Sequence, residues 1–265
     1  MNEENNSMRL DAGLRREIKL AAKRRILMCL PRCLAAAVIY MLPAVLVGRL
    51  TAVSLNQNMA QVVCMNLIGI ACEILLLGPI MMGMQYFFVD TARGRMSSLA
   101  VVFSPLAGIR ELLCGIRMTL CLVFRMILLW LIPTAIYCGA LYGIMHLAQT
   151  YGITDNRTIL GMTAAAILLY LLLLLPTMGR ILSYMLGYAF LRDNPEMGVW
   201  RATREGSRLL RGQRPAMLAF VLSFLPWWVG GIFTCGLTSL FGTIYLSVSL
   251  YMLGDRLRGQ DTPIL

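Results

Sequence analysis

The residues in this chain with chemistry to offer are few, and most are arginines. Three charged side chains interrupt long apolar runs: Glu73, Arg125 and Arg180. Ionisable groups inside a hydrophobic span are costly and mark function or a specific partner, so these come first. Glu73 falls near the middle of one run. Arg125 lies about 11 Å along another at 1.5 Å per residue, and Arg180 sits near the end of a third, from which its side chain can snorkel to water. Glu73 and Arg125 could meet across adjacent helices, either as a structural ion pair or as the polar centre of a substrate path.

A second group is a quartet. Arg201, Arg204, Arg208 and Arg211 fall within roughly 80° of one another at 100° per residue, while Val199, Thr203, Gly206 and Leu210 lie opposite. A helix capped by Asp193 or Asn194, with Pro195 in its first turn, would present them together. Such a face suits anionic lipid headgroups, each arginine adding on the order of 1 kcal/mol. The plainer alternative is a solvated face with an Arg201–Glu205 pair supporting the helix.

Catalysis has less to draw on. His146 is the only histidine and has no acidic residue near it in sequence, and HExxH, GxSxG and phosphate-cradling glycine loops are absent. Asn66 reads as a helix-packing hydrogen bonder. The eight cysteines sit mostly in apolar segments without a CxxC pair. Cys29 and Cys33 are four apart but lack companion ligands, so neither a metal site nor a disulfide framework is expected. The nineteen methionines are scattered, as adaptable packing requires. The chain is therefore expected not to be an enzyme and to need no cofactor.

The elements that must position these residues are membrane helices. Of 265 residues 58% are hydrophobic and 14% charged, against roughly 25% charged in soluble domains. The net charge of +11 could suggest a nucleic-acid partner, but the basic residues are distributed as the positive-inside bias of a membrane protein. The first thirty residues show no apolar core ending in a cleavage site, so insertion is expected to rely on the first span.

Apolar length predicts six spans, at about Cys33–Val47, Val62–Val89, Met118–Met145, Thr158–Met178, Ala216–Phe233 and Gly236–Leu253. Glu73, Gly78, Pro79 and Gly83 predict a tilted or kinked second span. The last two, joined by a tight turn around Cys235, could instead form a re-entrant hairpin. The expected fold is all-α, a polytopic membrane helix bundle with N-terminal and mid-chain amphipathic cytoplasmic helices. Residues 1–28 form a basic amphipathic segment from Arg9 to Met28, preceded by polar Met1–Met8. Residues 29–254 hold the six spans, with cytoplasmic loops 90–117 and 192–215, and 255–265 form a tail. With both termini in the cytoplasm only Arg49 and Arg157 fall outside, the polar run Ser54–Asn58 lying on that far side.

A faint parallel internal repeat can be read, as a duplication or as a coincidence among apolar, proline-bearing helices: GPIMMG and LPTMG each lead to aromatic residues, a charged loop and a span interrupted at Pro133 or Pro226.

Around Asn194-Pro195 the chain resembles the bacterial integral-membrane family known as domain of unknown function 975. The similar features are Pro176, Gly179, Tyr184, Ala202, Ser207, Gly212, Leu222-Ser223-Phe224 followed by Trp227 or Trp228, Thr234, Gly236 and Tyr251. Upstream, Gly78-Pro79, Gly83 and Arg93-Gly94 also fit. The likeness departs at Phe241-Gly242, where a Pro-Tyr pair is expected. It implies a fold and a bacterial plasma-membrane location and supplies no catalytic residue.

Three roles follow as expectations. The first is a non-enzymatic membrane protein whose surface helices hold lipid or a membrane or cytoplasmic protein partner. The second is a small transporter or transporter subunit using Glu73 and Arg125, and the third a lipid-modifying enzyme.

Overall fold

Long apolar runs without period-two alternation coil into helices, because hydrocarbon offers backbone N–H and C=O groups no partner outside the segment. The computed structural model describes residues 12–50, 58–152 and 155–259, and no strand occurs among them. The expected polar residues Met1–Met8, the start of the basic segment at Arg9, the far-side polar run except Asn58, and the end of the tail lie outside the described residues.

The helices are α1 (Ala12–Met28), α2 (Leu30–Leu50), α3 (Met59–Cys72), α4 (Gly78–Ala92), α5 (Ile109–Thr150), α6 (Asn156–Met185), α7 (Gly187–Asp193), α8 (Val199–Leu209), α9 (Arg214–Leu222), α10 (Leu225–Phe233) and α11 (Leu237–Leu257). A π-helical turn, Glu73–Leu77, joins α3 to α4, and a 3-10 helix, Leu99–Leu106, precedes α5. Among the described residues six segments are long and apolar enough to cross a membrane: Leu30–Arg49, Met59–Ala92, Ile109–Thr150, Arg157–Asp193, Pro215–Phe233 and Leu237–Leu257. The chain is a multi-pass membrane protein.

Prolines explain two of the breaks. Pro79 has no N–H and its ring crowds the preceding turn, so the helix widens just before it. The Gly78 N–H donates to the Glu73 carbonyl, five residues back. Pro226 likewise opens α10 directly after the interruption at Ser223-Phe224. The turn around Cys235 is tight: Cys235 and Gly236 both take positive φ, at 50° and 92°, and the Gly236 N–H caps the Gly231 carbonyl at 2.8 Å.

α4 and α11 form the centre. Nearly every residue of α4 is buried, and α11 is buried from Ile244 to Asp255, whereas α3 is exposed along almost its whole length. Inside the core the Tyr251 hydroxyl donates to Gln85 Oε1 at 2.7 Å, satisfying two polar groups that have no access to solvent. Gly83 lets the backbone of Val102 press against α4, which brings the 3-10 helix into the bundle. On the other side Gly206 of α8 approaches the Ser183 carbonyl so closely that a Cβ would lie 2.5 Å from it.

α1 docks into the bundle by one side: Ile18, Ala21, Ala22, Arg25 and Ile26 are buried, and the Lys19 carbonyl accepts a bond from the Tyr245 hydroxyl at 3.0 Å. In the 3-10 helix Val102 and Pro105 are buried while Phe103 and Leu106 stay exposed. One expectation is corrected. The arginine helix begins at Val199 rather than Pro195, because Asn194–Met197 form a turn closed by Met197 N–H to the Asn194 carbonyl at 2.9 Å. Asp193 is not its cap, having stronger partners elsewhere.

Candidate functional site

α8 divides cleanly by side. Ala202, Thr203, Gly206 and the following Leu210 are buried against α6 and α7, while Arg201, Arg204, Arg208 and Arg211 are all exposed. Among the described residues none of the four makes a hydrogen bond or ion pair, and Arg201 does not pair with Glu205. The arginines border an open cleft of about 1280 Å³ whose wall includes Arg125, Tyr184 and Trp200.

Arg125 is held there by stacking. Its guanidinium carbon lies 4.5 Å from the Tyr184 ring centre and 4.4 Å from that of Trp200, and Nη2 donates to the Trp200 carbonyl at 3.3 Å. Two rings at contact distance attract the guanidinium and restrict its orientation. Nε is buried and has no hydrogen-bond partner among the described residues.

Helix lengths fix the depth of this site. α5 has 42 residues, about 63 Å, which is twice a hydrocarbon core of ~30 Å. Its charges, Arg110, Glu111, Arg117 and Arg125, all fall in its first half, and the uncharged run from Met126 to Thr150 measures roughly 37 Å. In α6 the uncharged run between Arg157 and Arg180 is roughly 33 Å. Arg125 and Arg180 thus stand at the same end of two membrane-length runs, with α8 beside them.

The other candidate lies apart from these. Glu73 is exposed at the start of the π-helical turn, and no hydrogen bond or ion pair joins it to Arg125, whose guanidinium is engaged by Tyr184 and Trp200. Arg180 is exposed as well. Among the described residues no group of three or more His, Cys, Asp or Glu side chains could hold a metal ion.

Where α4, α7 and α11 end, a second set of arginines is drawn partly out of solvent, with side chains 8% (Arg93), 31% (Arg192) and 14% (Arg258) exposed. Arg93 Nε and Nη2 bond Asp255 at 2.9 and 3.0 Å, and Nη2 reaches Asp193 at 3.0 Å. Arg258 joins Asp193 at 2.8 Å and Asp255 at 3.5 Å, its guanidinium 4.2 Å from the Phe190 ring centre. Arg192 bonds Asp90 at 2.7 Å, and the Ser97 hydroxyl donates to the same carboxylate at 2.6 Å. Arg25 of α1 donates to the Ala92 carbonyl. Asp255 and Asp90 are only 1% and 2% exposed. Burial opposes the charge on Arg93, but bonds from Asp255 and Asp193 outweigh it and hold the guanidinium more firmly protonated than a free one.

The chain matches the family described as Protein of unknown function (DUF975) over residues 14–260. It belongs to that family. No curated protein and no solved structure matches it.

Several of the residues that carried the DUF975 resemblance hold this architecture together. Gly83 admits Val102, Tyr184 stacks on Arg125, Tyr251 bonds Gln85, and Arg93 anchors the buried cluster. The cluster itself is not readable from spacing, because its partners come from positions 90–93, 192–193 and 255–258. The one local signal is that each apolar run ending at this side closes on an aspartate next to an arginine or within three residues of one: Asp90 with Arg93, Arg192-Asp193, and Asp255 with Arg258.

Proposed function

We propose that this DUF975 protein is a non-enzymatic component of the bacterial plasma membrane, with both termini in the cytoplasm, that gathers anionic lipid headgroups at the inner leaflet. The arginine side of α8 and the stacked Arg125 form the receiving surface. The observation that carries this is position: four arginines without carboxylate partners border a cleft beside Arg125, at the end of the uncharged, membrane-length run that starts at Met126. Trp200 and Tyr184 suit that depth, where aromatic rings with one polar edge collect. Phosphate or a carboxylate on a lipid headgroup offers such guanidiniums the partner that protein does not supply.

Trp200 reports directly on this surface. With Trp130, Trp227 and Trp228 changed to Phe, Trp200 fluorescence in nanodiscs should be quenched more by brominated phosphatidylglycerol than by brominated phosphatidylcholine at equal mole fraction. Equal quenching by the two lipids would contradict the proposal.

A second reading, a small transporter or transporter subunit, now rests on Glu73 without Arg125. What favours it is an exposed carboxylate at the first residue of a π-helical turn within an apolar segment, a place where function often concentrates. Changing Glu73 to Gln would abolish a transport phenotype at unchanged membrane abundance if this reading holds.

A further inference from the structure

We propose that Cys29 and Cys33 form a redox-sensitive dithiol at the joint between α1 and α2, closed to a disulfide by hydroperoxides. Cys29 is the single residue between the two helices. The Cys33 N–H nevertheless donates to the Cys29 carbonyl at 3.0 Å, so the helical turn continues through the joint and both thiols project from one side. Their sulfurs are 3.6 Å apart. Closing to an S–S bond of about 2.05 Å brings the sulfurs roughly 1.5 Å nearer; the Cα spacing of one helical turn, about 6 Å, lies inside the range that disulfides span, and the Cβ atoms must draw in from about 5–6 Å to about 4 Å, so the backbone at the single-residue joint moves as the bond forms.

The two thiols have different surroundings, and these assign their roles. Cys29 is partly exposed and Cys33 is fully buried, so an oxidant from solvent meets Cys29 first. The bond from the Cys33 thiol, helped by Arg32 and opposed by burial, brings Cys29 down to about 7 from an ordinary thiol value. The Cys29 thiolate attacks the terminal peroxide oxygen, giving the sulfenic acid and releasing hydroxide or alkoxide. The Cys33 thiol then attacks that sulfur, the S–S bond forms and water leaves, so the dithiol loses two electrons and the hydroperoxide gains them. As a thiol Cys29 also donates to the Arg25 carbonyl at 3.2 Å. Oxidation removes that bond one turn away from the guanidinium that holds Ala92, which couples the redox state to the buried end of the bundle.

The purified full-length protein is treated with hydrogen peroxide, its remaining thiols are alkylated with N-ethylmaleimide, and linkages are mapped by peptide mass spectrometry. Cys29 joined to Cys33 is the expected product, and in the Cys33→Ser variant dimedone should trap a sulfenic acid at Cys29. Cys33→Ala removes the hydrogen-bond donor. At neutral pH the Cys29 thiolate fraction should then fall and Cys29 oxidation should slow. The rate of Cys29 alkylation by iodoacetamide should rise with a half-point near pH 7. Both thiols still alkylatable after peroxide, or Cys29 linked to a different cysteine, would overturn the proposal. The linkage map of the unmutated protein decides this even if the Cys33 variants do not fold.

Discussion

Two groups of arginines in this protein use the same side chain to opposite ends. Arg93, Arg192 and Arg258 are matched to Asp90, Asp193 and Asp255 where α4, α7 and α11 finish. Arg201, Arg204, Arg208 and Arg211 line the exposed side of α8 and meet no carboxylate among the described residues. A guanidinium taken out of water must find its partners within the protein, whereas one left at a surface stays available for an external anion. The first group therefore holds the fold together and the second is available to a ligand.

The largest effect should come from breaking the buried group. Asp255→Ala leaves Arg93 and Arg258 short of a counter-charge, and removing one member of a buried pair costs about 3–5 kcal/mol, a large part of a typical ~5–15 kcal/mol stability. Thermal unfolding in detergent should show it as a large drop in midpoint. Adding Arg93→Met to Asp255→Ala should recover part of that loss, since the unpaired charge goes with it. If the double variant is no better than the single one, the network is not held as described.

Next comes Gly83→Ala, expected to cost about 1–3 kcal/mol or more because the new methyl meets the Val102 carbonyl, which belongs to a fixed backbone. Gly139→Ala in α5 meets nothing within 4 Å and should be neutral or stabilising by about 0.5–1 kcal/mol. Tyr251→Phe leaves Gln85 Oε1 buried without its donor, a loss of about 1–3 kcal/mol. The smallest change in stability, within about 0.5 kcal/mol per site, is expected for Gln at Arg201, Arg204, Arg208 and Arg211, where no hydrogen bond or ion pair among the described residues is lost.

Much of the bundle was legible because hydrocarbon imposes simple rules. Apolar length predicts the six membrane-length helices, Pro79 the disturbance before α4, and Cys235-Gly236 the turn into α11. The division of α8 follows from helical spacing alone, since Thr203, Gly206 and Leu210 fall opposite the arginines by count. Side-chain partners across the bundle were not legible. Arg125 and Glu73 attract each other on paper, but Arg125 faces α6 and α8, where Tyr184 and Trp200 cover it. Asp193 has the chemistry of a helix cap, yet two arginines from distant positions outcompete one backbone N–H. Packing also hid how α1 docks, because its arginines and lysines suggest a surface while Ile18, Ala22 and Ile26 form the side that meets the bundle.

The most direct test compares the lipids that copurify with the native protein and with the variant carrying Gln at Arg201, Arg204, Arg208 and Arg211, with thermal unfolding measured on the same samples. The account predicts that anionic lipid falls to its bulk proportion in the variant while the unfolding midpoint falls far less than in Asp255→Ala. Anionic lipid retained at the native level would contradict it.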